Sequence, residues 1–356
     1  MIRVLCDCRM ADWSGVGRYS TGLVRALAAS GEVELVQAVR PDVSPPVPDA
    51  ETLTVAGSPF GLASARALAS AARAARPDVT HCLHFPTPMP APHPLVVTLH
   101  DLTPIVMPEV MPSALRRAVY RWWNRRAAGV ADRVVVPSEH TAGDVRRLFP
   151  RSAASLRLVP EAADDFAAGP VGELPAVARE RPYVLSMANT KANKDLPTLL
   201  RAFARVSRGR PELALLLVGR DAPGYTASVL AGDPSAARVR FTEPVPDDEL
   251  RALYSHAEAF VFPSRYEGFG LPVLEAMALG APVVLSDASS LPEVAGDAAL
   301  TFPAGDPAAL AAALDAVLGD PGERDRLREA GRERAASFSW EETARRTIAV
   351  YRELLA

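Results

Sequence analysis

Short apolar runs alternate with segments of helical periodicity along the chain, and they form two series. The runs of the first series are β-branched or leucine-rich, which is typical of strands that are covered on both faces of a parallel sheet. A helix is predicted over Tyr19–Ala29, and the proline-rich stretch Arg40–Pro48 is predicted to be a loop. The predicted strands are Ile2–Cys6, Val33–Val39, Val79–Leu83, Leu95–Leu99 and Val134–Val136.

A second series with the same alternation begins at Tyr183. The stretch Glu161–Arg181 between the two series lacks periodicity and contains several Gly and Pro residues, so it is predicted to be a linker. The chain ends in a predicted helix, Trp340–Leu355. The predicted strands are Tyr183–Met187, Leu213–Val218, Arg238–Phe241, Ala259–Phe262 and Pro282–Leu285, and the predicted helices are Pro197–Arg208, Asp247–His256, Pro272–Leu279 and Pro307–Leu318.

The pattern predicts an α/β protein with two doubly wound, Rossmann-like parallel-sheet domains that face a cleft. A chain of 356 residues suits two such domains. Ligands of open α/β sheets bind beyond the carboxyl ends of the strands, so the loops that follow strands are the candidate sites.

Composition excludes several classes of protein. A net charge of -3 argues against nucleic-acid binding, which usually needs a strongly basic face. No apolar run is long enough to span a membrane, and Asp7 breaks the first apolar run too early for a secretory leader. Cys6, Cys8 and Cys82 have no zinc-ligand spacing and are predicted to be core thiols of a cytoplasmic protein.

The clearest charge signal is the loop Asn189–Asp195, which follows a predicted strand and opens a helix. Lys191 and Lys194 are the only lysines of the chain, and every other basic residue is arginine. Ammonium groups beside a helix N-terminus favour a phosphate. The alternative is a solvated helix start, and Lys194 is the stronger candidate because it lies nearer the helix.

Two loops of the first series are further candidates. Gly15, Val16 and Gly17 follow the first strand and precede the first predicted helix, where glycines let the backbone approach a ligand, or simply form a tight turn. They lack the third glycine of a dinucleotide-binding fingerprint, so NAD is not predicted. His100 and Asp101 follow a strand end directly, which favours a functional role over a structural histidine.

The most informative segment runs from Ser264 to Glu275 and joins a strand to a helix. Glu267 and Glu275 flank Gly268 and Gly270, with seven residues between the two carboxylates. Carboxylates repel phosphate, so we interpret them as hydrogen-bond acceptors for hydroxyls on either side of a diphosphate, one set on a sugar and the other on a ribose.

This segment resembles the EX7E motif of retaining GT-B glycosyltransferases, specifically those of glycosyltransferase family 4. The resemblance covers nearly the whole chain and implies a GT-B fold with an N-terminal acceptor domain (1–168), a C-terminal donor domain (169–338) and a last helix (339–356) that crosses back to the first domain. The other segments that carry it are Gly15–Tyr19, Thr98–Asp101, Asn189–Asp195, Ser290–Val294 and Phe338–Glu341.

The resemblance also implies residue roles. Glu267 contacts the transferred sugar, Glu275 binds the ribose, and His100 contacts the transferred hexose, with Asp101 beside it in the catalytic set. The implied diphosphate- and sugar-binding groups are Gly15, Val16, Gly17, Asn189, Lys191, Lys194 and the backbone of Phe269, Gly270 and Leu271. Many members of the family have an arginine at the position of Asn189, so Lys191 supplies the second charge here or the pocket carries less charge.

The implied activity is transfer of a hexose from a GDP-, UDP- or dTDP-linked donor to a hydroxyl of a small-molecule, glycan or lipid-linked acceptor. The transfer retains the anomeric configuration by a front-face mechanism. No cofactor or metal is expected, because no Asp-x-Asp element occurs in the chain. The alternatives are a GT-B epimerase or phosphorylase, or an inert sugar-nucleotide-binding protein.

The segment Arg116–Arg126 predicts a basic helix with two adjacent tryptophans, Trp122 and Trp123. Such a helix is a candidate for weak peripheral contact with anionic lipid on the inner membrane face. The alternative, which the pattern favours, is an ordinary surface helix whose Leu115, Val119 and one tryptophan pack inward.

Overall fold

The computed structural model describes residues 1–187, 190–220 and 224–356, and its chain forms two compact units. Unit 1 contains Met1–Ala162 together with Phe338–Ala356, and unit 2 contains Ala163–Ser337. The predicted domain boundary lay at residue 168. The last helix, at the far end of the sequence, belongs to unit 1.

Unit 1 is built on a parallel sheet. Its strands are β1 (Ile2–Asp7), β2 (Val33–Val39), β3 (Glu51–Thr54), β4 (Val79–Cys82), β5 (Leu95–Thr98), β6 (Arg133–Val136) and β7 (Leu156–Leu158), in the spatial order β3-β2-β1-β4-β5-β6-β7. Its helices are α1 (Ser14–Ala29), α2 (Leu62–Ala75), α3 (Thr103–Val106), α4 (Ala114–Val130), α5 (Glu139–Leu148) and α15 (Trp340–Leu355).

Helices cover both faces of this sheet, which explains why its strands are apolar on both sides. Successive residues of β1 show the alternation, since Val4 packs towards α1 and α15 while Leu5 packs towards α2, α4 and α5. The three cysteines are buried and free of disulfides, as predicted.

The helices α1 and α15 meet at a glycine. A Cβ on Gly22 of α1 would overlap the indole ring of Trp340, which begins α15 and is buried. The hydroxyl of Ser339 caps this helix by accepting a hydrogen bond from the Glu342 N–H at 3.2 Å. The missing side chain at Gly22 therefore lets the end of the chain pack closely on its beginning.

Unit 2 repeats the architecture. Its strands are β8 (Tyr183–Met187), β9 (Ala214–Val218), β10 (Val239–Phe241), β11 (Ala259–Phe262), β12 (Val283–Ser286) and β13 (Leu300–Phe302), all parallel, in the spatial order β10-β9-β8-β11-β12-β13. Its helices are α6 (Asp164–Ala167), α7 (Ala176–Arg179), α8 (Leu196–Val206), α9 (Tyr225–Val229), α10 (Asp247–His256), α11 (Leu271–Ala278), α12 (Leu291–Ala295), α13 (Pro307–Gly319) and α14 (Pro321–Ala336). The two parallel sheets confirm the predicted α/β class with two Rossmann-like domains.

The predicted linker Glu161–Arg181 contains short helices that its sequence pattern did not indicate. The stretch contains α6 and α7, and it packs on α10 of unit 2. The guanidinium of Arg251 lies 5.1 Å from the centre of the Phe166 ring and donates a hydrogen bond of 2.6 Å to the Pro170 carbonyl. These contacts are long-range in sequence, which is why local periodicity missed them.

The expected inward packing of α4 is also wrong for two of its residues. Trp123 is buried, but Leu115, Val119 and Trp122 are 77%, 45% and 46% exposed. Leu115, Val119 and Trp122 are spaced four and then three residues apart, so they lie on one face of the helix. The core therefore uses the opposite side of α4, because Trp123 and Ala127 occupy the positions that face the sheet.

Candidate functional site

The lysine loop of unit 2 leads from β8 into α8. Thr190 is the first described residue after Met187, so the predicted site residue Asn189 lies outside the described residues. A short 3-10 turn, Ala192–Lys194, ends at Asp195, whose φ of 44° turns the chain into α8. Lys194 is thus placed on a tight turn at the carboxyl edge of the sheet, and Lys191 is exposed one turn earlier.

The second loop of unit 2 joins β11 to α11 and contains the predicted motif. Gly270 has a φ of 123°, and a Cβ there would lie 2.9 Å from Leu291 Cδ2, so this turn requires glycine. Pro272 occupies the first turn of α11, where its missing N–H is not needed. The backbone of Phe269, Gly270 and Leu271 is therefore held at the N-terminus of the helix.

Serines that follow β12 fix this loop. The buried hydroxyl of Ser290 donates to the carbonyl oxygens of Phe269, at 2.7 Å, and Glu267, at 3.2 Å. The Ser289 hydroxyl oxygen accepts a hydrogen bond of 2.9 Å from the Glu267 N–H. Ser290 begins the segment Ser290–Val294 noted in the sequence, whereas Ser289 lies outside that segment, and neither serine was assigned a role because only the folded sheet brings them next to the motif.

The two loops are also joined to each other. The backbone N–H of Arg265 donates to the Asn193 carbonyl at 2.6 Å, and the Asn193 side chain donates to the Tyr266 carbonyl at 3.1 Å. Two buried oxygens, Asn193 Oδ1 and Ser264 Oγ, have no hydrogen-bond partner within the described ranges. These two oxygens therefore keep free acceptor capacity next to the two loops.

The central contact is an ion pair between the two predicted loops. Lys194 Nζ lies 2.6 Å from Glu267 Oε1, and the two side chains are 25% and 15% exposed. The same ammonium group lies 5.2 Å from the centre of the Phe262 ring at the end of β11. The structure thus brings together the strongest candidates of each loop, and it holds the lysine charge on an aromatic face beside a carboxylate.

The second motif carboxylate has a different environment. Glu275 is buried in α11, one turn beyond the loop, and accepts a hydrogen bond of 3.2 Å from the hydroxyl of Tyr254 in α10. Tyr254 is itself buried and was missed by sequence analysis, since nothing in the local pattern distinguishes it from a core residue of a helix.

The glycines of unit 1 are placed differently from the prediction. Gly15, Val16 and Gly17 lie in the first turn of α1, which begins at Ser14, and not in a loop before it. A Cβ on Gly17 would overlap the Ala11 carbonyl, whereas a Cβ on Gly15 would meet open space. Close packing therefore accounts for Gly17. Sequence periodicity missed the start of the helix because its first turn is glycine-rich.

His100 of unit 1 is held by two acceptors. Its Nδ1 lies 2.8 Å from Glu161 Oε1, and its Nε2 lies 2.9 Å from the Leu83 carbonyl oxygen. Burial lowers the pKa of His100, but the hydrogen bond and charge of Glu161 outweigh it and the pKa lies above its usual value. Two oxygen acceptors require two N–H donors, so the geometry also favours the imidazolium form.

Asp101 and His84, which lie near His100, have different surroundings. Asp101 Oδ1 accepts a hydrogen bond of 2.7 Å from the Thr103 N–H at the start of α3. The ring of His84 lies 5.5 Å from that of His100, and burial together with the His100 charge holds the pKa of His84 well below its usual range. Glu161 fell in the predicted linker and was missed for that reason.

No group of three His, Cys, Asp or Glu side chains in the described ranges is arranged to hold a metal ion. None of the helices in those ranges combines the length and apolar character that crossing a membrane requires.

Comparison with known proteins places the chain in a family. The family model described as Glycosyltransferase Family 4 matches residues 13–165, and the model described as Glycosyl transferases group 1 matches residues 175–334. The chain is 30% identical to an O-antigen chain mannosyltransferase B of Escherichia coli over 96% of both chains. It is 34% identical to an MMP alpha-(1->4)-mannosyltransferase of Mycolicibacterium hassiacum over 74% of this chain and 66% of the relative.

Solved structures agree on the fold. A sucrose-phosphate synthase from Thermosynechococcus elongatus superimposes with a TM-score of 0.80 at 24% identity, over 100% of this chain and 99% of that one. The Anabaena protein Alr3699/HepE, in complex with UDP and glucose, superimposes with a TM-score of 0.75 at 16% identity, over 99% of this chain and 100% of that one. With its predicted motifs on two Rossmann-like domains, the chain belongs to glycosyltransferase family 4 and is a glycosyltransferase of the GT-B fold.

Proposed function

We propose that the chain transfers a hexose from a nucleoside-diphosphate sugar to an acceptor hydroxyl, with retention of the anomeric configuration and without a metal ion. The observation that carries this proposal is the ion pair between Lys194 and Glu267. It lies beside the N-terminus of α11, which follows the turn at Gly270. Mannosyltransferase relatives and a solved Anabaena structure with UDP-glucose support the hexose and the nucleotide donor.

The donor diphosphate would take the place of Glu267 as the counter-ion of Lys194. A diphosphate carries more negative charge than one carboxylate, and the α11 N-terminus adds backbone N–H groups that favour an anion. Phe262 and the joined loops hold the ammonium group in place before a donor arrives, so the main change on binding is the exchange of its Glu267 partner for the diphosphate. This arrangement meets the diphosphate charge without a divalent cation.

The two carboxylates suit two different parts of the donor. Glu267, released from Lys194, would accept hydrogen bonds from hydroxyls of the transferred sugar. Glu275, oriented from the buried side by Tyr254, would accept hydrogen bonds from the ribose hydroxyls. An ionised carboxylate accepts hydrogen bonds and donates none, so both groups would select hydroxyl-bearing parts of the donor and repel a misplaced phosphate.

The chemical step then needs few protein groups. The bond between the anomeric carbon and the diphosphate oxygen breaks, and a bond from the acceptor oxygen forms on the same face. The acceptor proton passes to the departing diphosphate oxygen, so no side chain has to act as general base. The task of the protein is to stabilise charge on the leaving group and to orient both substrates.

Replacement of Lys194 by alanine tests the diphosphate assignment. We expect the nucleoside-diphosphate affinity to fall roughly 10- to 100-fold, because one charge-assisted hydrogen bond contributes about 1.5–3 kcal/mol. The affinity for the matching nucleoside should stay the same. Calorimetric titration of wild type, Lys194→Ala and Lys191→Ala with each ligand measures both, and the Lys191 variant shows whether that residue supplies the second charge. Equal diphosphate affinity in all three proteins contradicts the assignment.

Analysis of the reaction products distinguishes a transferase from the alternative activities of a GT-B protein. A transferase gives a glycosylated acceptor and a free nucleoside diphosphate. An epimerase returns an intact nucleotide sugar, a phosphorylase releases a sugar phosphate, and an inert protein binds the donor and leaves it unchanged. The presence of Lys194, Glu267 and Glu275 in contacts that a donor would use favours an active enzyme.

We also propose a peripheral membrane contact through α4. Its exposed face carries Leu115, Val119 and Trp122, and the helix contains five arginines and no acidic residue. Arg116, Arg121 and Arg125 form no ion pair in the part of the chain that the structure describes. An apolar stripe bordered by unpaired guanidinium groups is suited to a surface of anionic lipid.

Co-sedimentation with vesicles at low salt tests this contact. We expect the wild type to bind vesicles that contain anionic lipid, and the double variant Leu115→Ser, Trp122→Ser to bind roughly tenfold or more weakly, because each buried apolar side chain contributes about 1.5–3 kcal/mol. Leu62→Ser, which removes an exposed leucine from α2, is the matched control. Absence of binding by the wild type to anionic vesicles refutes the contact.

A further inference from the structure

A pocket with charged and aromatic lining residues lies in unit 1, apart from the motif residues. It has a volume of about 380 Å³ and is lined by Trp13, Arg40, Asp42, Gly57, Ser58 and Pro59. These residues follow β1, β2 and β3, which are neighbours in the sheet. Their loops therefore meet at its carboxyl edge, where α/β proteins bind ligands.

One residue that lines the pocket, Arg40, has a guanidinium group whose donors are all used. Arg40 donates to Asp42 at 3.1 Å twice, to Asp12 at 2.8 and 3.2 Å, and to the Arg9 carbonyl at 2.6 Å. These five hydrogen bonds use all five of its N–H groups. Arg40 therefore has no donor left for a ligand, and its effect is to hold two carboxylates in fixed orientations.

The carboxylates keep acceptor capacity towards a ligand. A carboxylate accepts about four hydrogen bonds, and each of Asp12 and Asp42 receives two from Arg40. The hydrogen bonds from Arg40 lower the pKa of Asp42, so that it stays ionised. Two carboxylates and one guanidinium leave one net negative charge, which repels a phosphorylated compound and suits neutral hydroxyls.

An aromatic side chain, that of Trp13, also lines the pocket. Trp13 is 37% exposed, and its indole ring lies 5.6 Å from the ring of Phe60, so it is supported from one side. A partly exposed, supported indole offers a flat apolar surface next to the acceptor oxygens. A sugar has the complementary character, because its ring presents an apolar C–H face and its edge presents hydroxyl donors.

We propose that this pocket binds a neutral sugar residue of the acceptor, with the sugar face on Trp13 and its hydroxyls on Asp42. This inference rests on the proposed function, since it names the chemical class of that acceptor. It selects a glycan or glycoside over an acceptor whose recognised part is a phosphate.

Saturation-transfer NMR with the full chain tests the pocket, using methyl α-mannoside and methyl α-glucoside as neutral probes and mannose 6-phosphate as the anionic one. We expect at least one methyl hexoside to bind wild type, and mannose 6-phosphate to bind more weakly. Trp13→Ala and Asp42→Asn should each weaken binding of the methyl hexoside by about tenfold. Trp122→Ala, which removes an exposed tryptophan from α4, should leave hexoside binding unchanged.

The outcomes distinguish a failure of this proposal from a failure of the proposed donor site. Asp42 is exposed, so Asp42→Asn reports on the pocket even when Trp13→Ala does not fold. No hexoside binding by wild type, tighter binding of the sugar phosphate, or unchanged hexoside binding in Asp42→Asn overturns the proposal. Titration of the same samples with nucleoside diphosphates should give wild-type affinity for every variant. Loss of diphosphate binding by wild type itself is instead a failure of the proposed function.

Discussion

Replacing Glu267 by glutamine should reduce sugar transfer by about a hundredfold or more while leaving nucleoside-diphosphate affinity unchanged or higher. The amide keeps the size of the side chain but removes the negative charge that would stabilise the transferred sugar as positive charge develops at its anomeric carbon. Loss of one preorganised electrostatic contact of this kind costs about 10²–10³ in turnover. Lys194 loses its counter-ion at the same time, so its charge is fully available to the diphosphate.

The measurement is turnover at saturating donor together with calorimetric affinity for the diphosphate. Glu212→Gln is a matched control, because Glu212 is an exposed glutamate before the amino end of β9, at the opposite edge of the sheet. We expect this control to behave as wild type in both measurements. Wild-type turnover in Glu267→Gln removes the residue from the reaction, and a large loss of diphosphate affinity contradicts the assigned ion-pair exchange.

Replacing Gly22 by alanine should lower the free energy of unfolding of unit 1 by about 1–3 kcal/mol, the usual cost of overpacking a close contact. The added Cβ would overlap the Trp340 indole, so α15 would have to move away from α1. Gly143→Ala is the control, because nothing lies within 4 Å of a Cβ at this helical position. There alanine should raise stability by up to about 1 kcal/mol through its better helix propensity.

Tryptophan fluorescence during urea unfolding measures this effect. All four tryptophans, Trp13, Trp122, Trp123 and Trp340, belong to unit 1, so their signal follows that unit. Circular dichroism follows both units and shows whether they unfold together. A Gly22→Ala protein as stable as wild type contradicts the close contact between α1 and α15.

The sequence predicted most of the sheet because its strands are buried on both faces and so appear as continuous apolar runs. The strands that it missed have a weaker pattern. In particular, β3 (Glu51–Thr54) lies at the edge of its sheet and is mostly exposed, so its polar residues give no apolar run. A helix start at Ser14 was missed for a related reason, because glycines in the first turn of α1 indicate a loop.

The site was predictable to the extent that its residues lie in loops after strands. Lys194 and Glu267 were selected from separate loops, and the order of β8 and β11 as neighbours brings them together. The supporting contacts of Tyr254 and Ser290 depend on packing between distant segments, which no local pattern encodes. The side of α4 that faces the core was likewise decided by tertiary packing, and this left Leu115 exposed.

We propose that unit 2 activates a nucleoside-diphosphate hexose for retaining, metal-independent transfer. Proton NMR during slow hydrolysis of UDP-, GDP- and dTDP-hexoses by the enzyme, in excess EDTA, tests it most directly because water replaces the acceptor. We predict that one donor is cleaved and that the first sugar released has the anomeric configuration of that donor. Release of the opposite anomer first, or cleavage that begins only when magnesium or manganese is restored, would contradict the account.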